Sequence, residues 1–261
     1  MEIGRELTLL LHDVHDGDPS TSGFRGAAAD RYKITRADLE AQLSGLAQAL
    51  AGPRPPVPVT LTFDDGGASY YTTVAERLEA RGWRGHCLVT SGRVGGPGFL
   101  DAGQIRELHG RGHVIGTHSV THPERFAACG WDKMLREWAD SRSALQDILG
   151  DEVTVGSVPG GYFSPRVAQA AAAAGLTTLF TSEPETRVRR IGGCTVLGRF
   201  TIRPGCRADF AARLARMDAL VRAEEWAAWN GKKILKFALG ARYSRFTRWA
   251  THFKFEERGE R

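Results

Sequence analysis

Two short stretches of this 261-residue chain concentrate the residue types that do chemistry. In the first, an apolar run ends as Thr62-Phe63-Asp64-Asp65-Gly66-Gly67, two adjacent carboxylates followed by two glycines. Successive strand residues face opposite sides, so both carboxylates reach one site only if the backbone turns there, which glycine permits. Taken alone, the same stretch also suits an Asx turn with capping carboxylates. The second stretch, His118-Ser119-Val120-Thr121-His122, sets two imidazoles four residues apart. On one helical turn, or a loop of similar pitch, that spacing aims both at one divalent ion, although two partly exposed histidines look the same. Together the stretches say more than either does. One Asp and two His make three ligands with open positions, as in catalytic zinc sites, and the other Asp remains free for proton transfer.

These residues need elements to position them. Strand-like apolar segments recur at residues 6–11, 57–63, 86–90, 113–117, 154–158, 177–180 and 195–202. Helical patterns lie between them. Thr35 caps one that carries Leu39, Leu43, Leu46 and Leu50, and a Pro-rich linker at 53–58 stops it. Another runs through Val74 and Leu78 to Gly82, and further helices are expected near 101–111, 131–149, 164–174 and 208–224. Alternating strands and helices argue a parallel sheet covered by helices, either an open doubly wound sheet or a closed barrel. Both architectures place functional residues at the C-terminal ends of strands. That rule selects His12, the Asp64-Asp65 pair, the His118 loop and the loop after Val158 as one face.

Composition narrows the class. With 42% hydrophobic and 25% charged residues the chain is a folded globular protein rather than a disordered one. The net charge of +5 and pI near 9.2 could suit nucleic acid, but the excess sits toward the C-terminal end and no nucleic-acid motif accompanies it. Cys87, Cys129, Cys194 and Cys206 lack ligand spacing and are read as reduced. No apolar stretch is long enough to span a membrane, and the run in MEIGRELTLLLHDV is too short for a signal peptide, so a cytoplasmic protein is expected.

The two motifs resemble the NodB-type polysaccharide deacetylases, carbohydrate esterase family 4, whose signatures read TFDDG and HSxxH or HTxxH; residues 62–66 and 118–122 match both. The resemblance implies a deformed (β/α)7 TIM-like barrel and hydrolysis of an N-acetyl group on a sugar or glycoconjugate. It implies that Asp65, His118 and His122 hold one divalent ion, zinc by ligand type with cobalt, nickel or manganese open, and that Asp64 accepts the proton of water. Ser157-Val158-Pro159-Gly160-Gly161-Tyr162 is similar to the family's third motif, so Gly160, Gly161 and Tyr162 are candidates for oxyanion or substrate binding. There Ser157 stands where many members have an arginine that orients the catalytic aspartate, so that support must come from elsewhere or be absent. The family's late Leu-x-x-His motif is also missing, the chain running LGRFTIRPG from Leu197. Some members are circularly permuted, however, and Leu9-Leu10-Leu11-His12 on the first strand would place His12 as the general acid.

The barrel is expected over residues 1–225, with a basic amphipathic extension over 226–261. Residues 231–255 hold seven Lys or Arg and no acid, interleaved with apolar and aromatic side chains. Such a helix either packs on the barrel with a solvated basic face or makes a peripheral contact with an anionic membrane surface. The loop 16–32 is expected beside the site. Two alternatives remain open at this stage: removal of a formyl group by the same chemistry, and a carbohydrate-binding barrel without catalysis.

Overall fold

The structure, a computed structural model, describes residues 2–52 and 57–239, with side chains described for 4–52 and 57–231. Residues 53–56 of the Pro-rich linker and residues 240–261 of the basic tail lie outside it. The chain divides into two compact units, Met1–Arg222 and Ala223–Arg261.

The first unit is built on a ten-stranded sheet and a separate two-stranded pair. After β1 (Glu2–Arg5) come β2 (Leu7–Leu11), then the short pair β3 (Val14–His15) and β4 (Ile34–Thr35), then β5 (Val59–Phe63), β6 (His86–Val89) and β7 (Val114–Thr117). The series continues with β8 (Val155–Ser157), β9 (Thr178–Phe180), β10 (Arg187–Ile191), β11 (Cys194–Leu197) and β12 (Phe200–Thr201). Strands β2, β5, β6, β7, β8, β9 and β11 are parallel neighbours in the order β11-β9-β8-β7-β6-β5-β2. The ring closes through the chain itself. β11 lies beside β9, the chain bends at Gly198-Arg199, and β12 then pairs with the far side of β2. The seventh barrel position is thus shared by two short strands, which is the deformation of this (β/α)7 barrel.

Seven parallel strands fall where hydrophobic runs put them, but three features differ from the sequence reading. The segment 195–202 is two strands, not one. The antiparallel ribbon of β1, β10 and β11 was not expected, because Arg187-Val188-Arg189-Arg190-Ile191 is half polar and reads as loop. The single helix expected at 208–224 is two, α7 (Phe210–Ala215) and α8 (Ala219–Leu239), because Met217 takes a left-handed φ of 59° and Asp218 caps the second through the Leu220 N–H.

The helices follow local signals closely. After the short α1 (Ala27–Asp30), α2 (Arg36–Leu50) opens with a capping box of Thr35 and Asp38. A π-helical stretch, Tyr70–Val74, leads into α3 (Ala75–Glu79). Asp101 and Gln104 form the same kind of box at α4 (Ala102–Gly110), and α5 (Trp131–Leu149) ends at Gly150, φ 69°. α6 (Pro165–Ala173) starts on a proline. Residue alternation sorts the strands' side chains. Leu9, Leu11, Leu61, Phe63, Cys87 and Val89 face the helices in one cluster, and Leu179, Cys194 and Val196 do so in another with Trp138 of α5. Leu88, Phe180 and Leu197 fill the inside of the ring. Among the described residues no helix is long and apolar enough to cross a membrane, and all four cysteines are free.

Candidate active site

Along β5 the alternation puts Thr62 inside the ring and Phe63 outside, so Asp64 faces inward at the strand's end. Asp65 should then face outward. It does not, because its own backbone is left-handed at φ 78°, followed by Gly66 at 77°. That turn brings the second carboxylate back over the mouth. Gly67 is required beside it for space, since a side chain there would strike the buried Asp13 carboxylate. His118 and His122 come from the loop after β7, where Ser119 (φ 66°) and His122 (φ 55°) are also left-handed. Non-glycine residues held in this region cost about 1–3 kcal/mol each, and three of the four in the described chain are in these two motifs.

The three candidate ligands meet. One donor atom each from Asp65, His118 and His122 lies within 4.8 Å of the others, and Asp65 Oδ1 is 3.6 Å from both Nε2 atoms. His118 Nδ1 lies 2.9 Å from the Ser157 carbonyl, an acceptor that favours the Nδ1–H tautomer and leaves the Nε2 lone pair facing Asp65. Burial lowers the pKa of His118 to about 3 and pushes that of His122 down as well, so both imidazoles are neutral, the form that coordinates cations. Asp65 is the converse case. Its carboxyl is pushed well above the usual range by burial and then by the charges of Asp13 and Asp64, and Oδ1 is buried without a hydrogen-bond donor. Two neutral imidazole nitrogens and an orphaned carboxylate oxygen fit a divalent cation.

Asp64 sits in a different environment. Burial pushes its carboxyl up, but the Arg199 guanidinium and then His118 outweigh this and hold it well below the usual carboxylate range. Arg199 grips it with two arms, Nη1 to Oδ1 and Nη2 to Oδ2, each 2.7 Å. The Ser157 hydroxyl adds a third donor to Oδ1 at 2.9 Å. Sequence reasoning left the support of Asp64 unassigned once Ser157 replaced the expected arginine; the structure supplies that arginine from the bend between β11 and β12. A signal was present. A lone arginine inside the apolar run 195–202 has to find a buried partner, because an unpaired interior charge is prohibitive.

His12 follows β2, which lies next to β5, and it feels the charges of Asp64 and Arg199. Burial lowers its pKa to about 4, Asp64 opposing. The loop 16–32 does lie over this region. Tyr32 rests against the His12 ring at 5.0 Å between centroids and Phe24 against His122 at 4.9 Å. The loop is fastened by Asp13, which accepts from the Ser22 and Ser69 hydroxyls, and by Lys33, which donates to the Pro19 and Phe24 carbonyls. The Gly160-Gly161-Tyr162 turn follows β8 on the same rim. Gly160 (φ 66°) packs so closely on the Glu124 carbonyl that a side chain there would collide with it, the Gly161 N–H points at the Val158 carbonyl at 3.4 Å, and Tyr162 lies against Arg125.

With this geometry in hand, comparison with known families is decisive: residues 51–179 match the model of the polysaccharide deacetylase family. Over those residues the chain is similar to a polysaccharide deacetylase domain. The Bacillus subtilis protein YxkH, a candidate polysaccharide deacetylase, is 26% identical over 147 residues, 56% of this chain and 52% of its own length. A second B. subtilis protein of the same description, YheN, is 30% identical over 103 residues, 40% of this chain and 35% of its own. The chain therefore spans about half or less of the curated relatives it matches. Among solved structures, IcaB from Ammonifex degensii shares the fold with a TM-score of 0.65 at 23% identity, over 82% of this chain and 98% of that one. The Streptococcus pyogenes deacetylase PplD, solved with acetate, gives a TM-score of 0.67 at 21% identity, over 84% and 100%. The family match takes in both motifs of the deacetylase domain but neither His12 nor Arg199, whose places come from the fold.

Proposed function

We propose that this chain is a metal-dependent hydrolase that removes the N-acetyl group of an N-acetylated sugar or glycoconjugate. The observation that carries the reading is the meeting of the Asp65, His118 and His122 donor atoms within 4.8 Å, with Asp64 beside them at 3.9 Å from His118 Nε2. The family match and the curated relatives support the reaction class. In this reading Asp65 Oδ1, His118 Nε2 and His122 Nε2 hold one divalent ion, zinc by its donor set. When bound there, such an ion would acidify water and polarise the acetyl carbonyl.

The chain's own groups then handle protons. Asp64, ionised and clamped by Arg199, is a weak base, so it accepts a proton only from water that has been made acidic. His12 begins neutral, so to protonate the departing amine it must first take up a proton from solvent. Protonation is needed because an amine leaves poorly as an anion. In this reading the Gly160-to-Tyr162 turn contacts the acyl group and the aromatic rings of loop 16–32 wall the sugar. The replaced arginine of the third motif and the displaced histidine motif gave a barrel without catalysis some support; the contact of Arg199 with Asp64 weakens the first of these arguments.

The test is acetate release from a panel of N-acetylated sugars and glycolipids, with and without chelator. Release that chelator abolishes and zinc restores is expected, and release untouched by chelator would reject the metal's role. Formate release from N-formyl sugars in the same panel would shift the reading to a deformylase. We propose a cytoplasmic location as well, and a contact of the basic tail with anionic membranes remains part of the proposal. Its residues from 240 onward lie outside the described structure, and equal liposome co-sedimentation with and without residues 231–261 would count against it.

A further inference from the structure

The loop that carries both histidines is held from behind by one face of α5. Glu137 is buried, and among the described residues its carboxylate joins no ion pair. It faces the loop instead. Oε2 accepts the backbone N–H groups of Val120 at 3.0 Å and Thr121 at 2.9 Å, and Oε1 accepts the Thr121 hydroxyl at 2.6 Å. One helical turn further, Ser141 Oγ accepts from the Thr117 hydroxyl at 2.6 Å and donates to the Ser119 carbonyl at 3.2 Å. Within the loop the Ser119 N–H donates to Thr117 Oγ1 and the His122 N–H to Ser119 Oγ, both at 3.1 Å.

These bonds converge on the strained residues. Ser119 and His122 are left-handed, a conformation that L-residues abandon unless the surroundings hold it. Residues 120 and 121 lie between them, and Glu137 takes both of their N–H groups. Without that acceptor the two part-buried amides would lose their partner, and the loop would relax toward ordinary backbone geometry, swinging His122 away from Asp65.

We propose that Glu137 is a positioning residue of the metal centre: by clamping residues 120–121 it sets where His122 stands relative to His118 and Asp65. The proposal rests on the reading that these three residues hold an ion. Its test separates reach from charge. Glu137→Gln keeps the reach, since the amide oxygen can accept both N–H groups while the Thr121 hydroxyl turns to accept from the amide nitrogen. Glu137→Asp keeps the charge but withdraws it by one methylene, and Glu137→Ala removes both.

The full chain is stripped of metal and its zinc affinity measured by competition with a chromophoric chelator, alongside the melting temperature of each metal-free protein. Glu137→Ala and Glu137→Asp are expected to weaken zinc binding by roughly 10- to 100-fold, and Glu137→Gln by no more than about threefold. Lower melting temperatures with zinc affinity unchanged would make Glu137 a purely structural residue and overturn the proposal. If the alanine variant does not fold, the Asp and Gln pair decides: equal, wild-type affinities in both overturn it. A wild-type protein that binds no zinc overturns the metal reading itself, whereas a binding wild type with indifferent variants overturns this inference alone.

Discussion

Replacing Arg199 by methionine should destabilise the metal-free protein in a way that depends on pH. Arg199 is wholly buried and so is its partner Asp64, with two 2.7 Å contacts between them. Its Nη1 also donates to the Thr62 hydroxyl at 3.1 Å and its Nε to the Thr181 carbonyl at 2.8 Å. Removing one partner of such a pair leaves an uncompensated interior charge, and the cost at neutral pH is about 3–5 kcal/mol. In the native protein the Asp64 pKa is depressed, so its contribution to stability is present above the unfolded value of 3.8 and lost only as pH falls through the lower folded value. Without Arg199 the upward push of burial is no longer outweighed, and the carboxyl titrates above its unfolded value. The deficit of Arg199→Met should therefore be full at pH 7 and shrink as acid neutralises Asp64, while the cost of the cavity stays constant. Urea unfolding of both proteins between pH 7 and pH 4 measures the difference. A deficit below about 1 kcal/mol, or one that does not change with pH, would refute the assignment of Arg199 as the counter-charge.

Other substitutions separate metal holding from proton transfer. Asp64→Asn should abolish turnover and keep the metal, and His12→Ala should lower turnover by about 10²- to 10⁴-fold with metal content unchanged; wild-type turnover in His12→Ala would reject its role. Gly160→Ala should lose at least about 1 kcal/mol, because φ 66° disfavours a side chain and the new methyl meets the Glu124 carbonyl; a neutral result in thermal melts would place the turn elsewhere. His12, His86 and His118 have pKa values lowered to about 4, 4 and 3, chiefly by burial, so the unfolded chain binds more protons than the native one below the ordinary histidine value of 6.5. Stability of the metal-free protein should accordingly fall as pH drops from 6.5 to 4.5, by up to about 4 kcal/mol per pH unit from these groups together. Melting temperatures that stay level from pH 7 to pH 5 would contradict it.

Much of the site could be read from the chain because its two densest pieces are local. Asp64 and Asp65 are adjacent, and His118 and His122 share one loop, so residue type and spacing alone point to them. The strands that carry them are equally plain, since a buried parallel strand is a short run of apolar residues whatever its partners. His12 needed more: its placement depends on β2 lying beside β5, a pairing no local pattern announces. Arg199 and Glu137 were not assigned. Arg199 works across 135 positions of sequence, from a bend where a single strand was expected. Glu137 looks like any acidic residue on a helix until its face is known. The left-handed φ of Asp65, Ser119 and His122 was hidden too, because only glycine and asparagine advertise that geometry in a sequence.

The most direct measurement is the metal content of purified protein, by inductively coupled plasma mass spectrometry, for the wild type, Asp64→Asn and His118→Ala. Close to one divalent ion per chain is predicted for the first two and a large loss for the third. No bound ion in the wild type, or equal content in all three, would contradict a centre built by Asp65, His118 and His122.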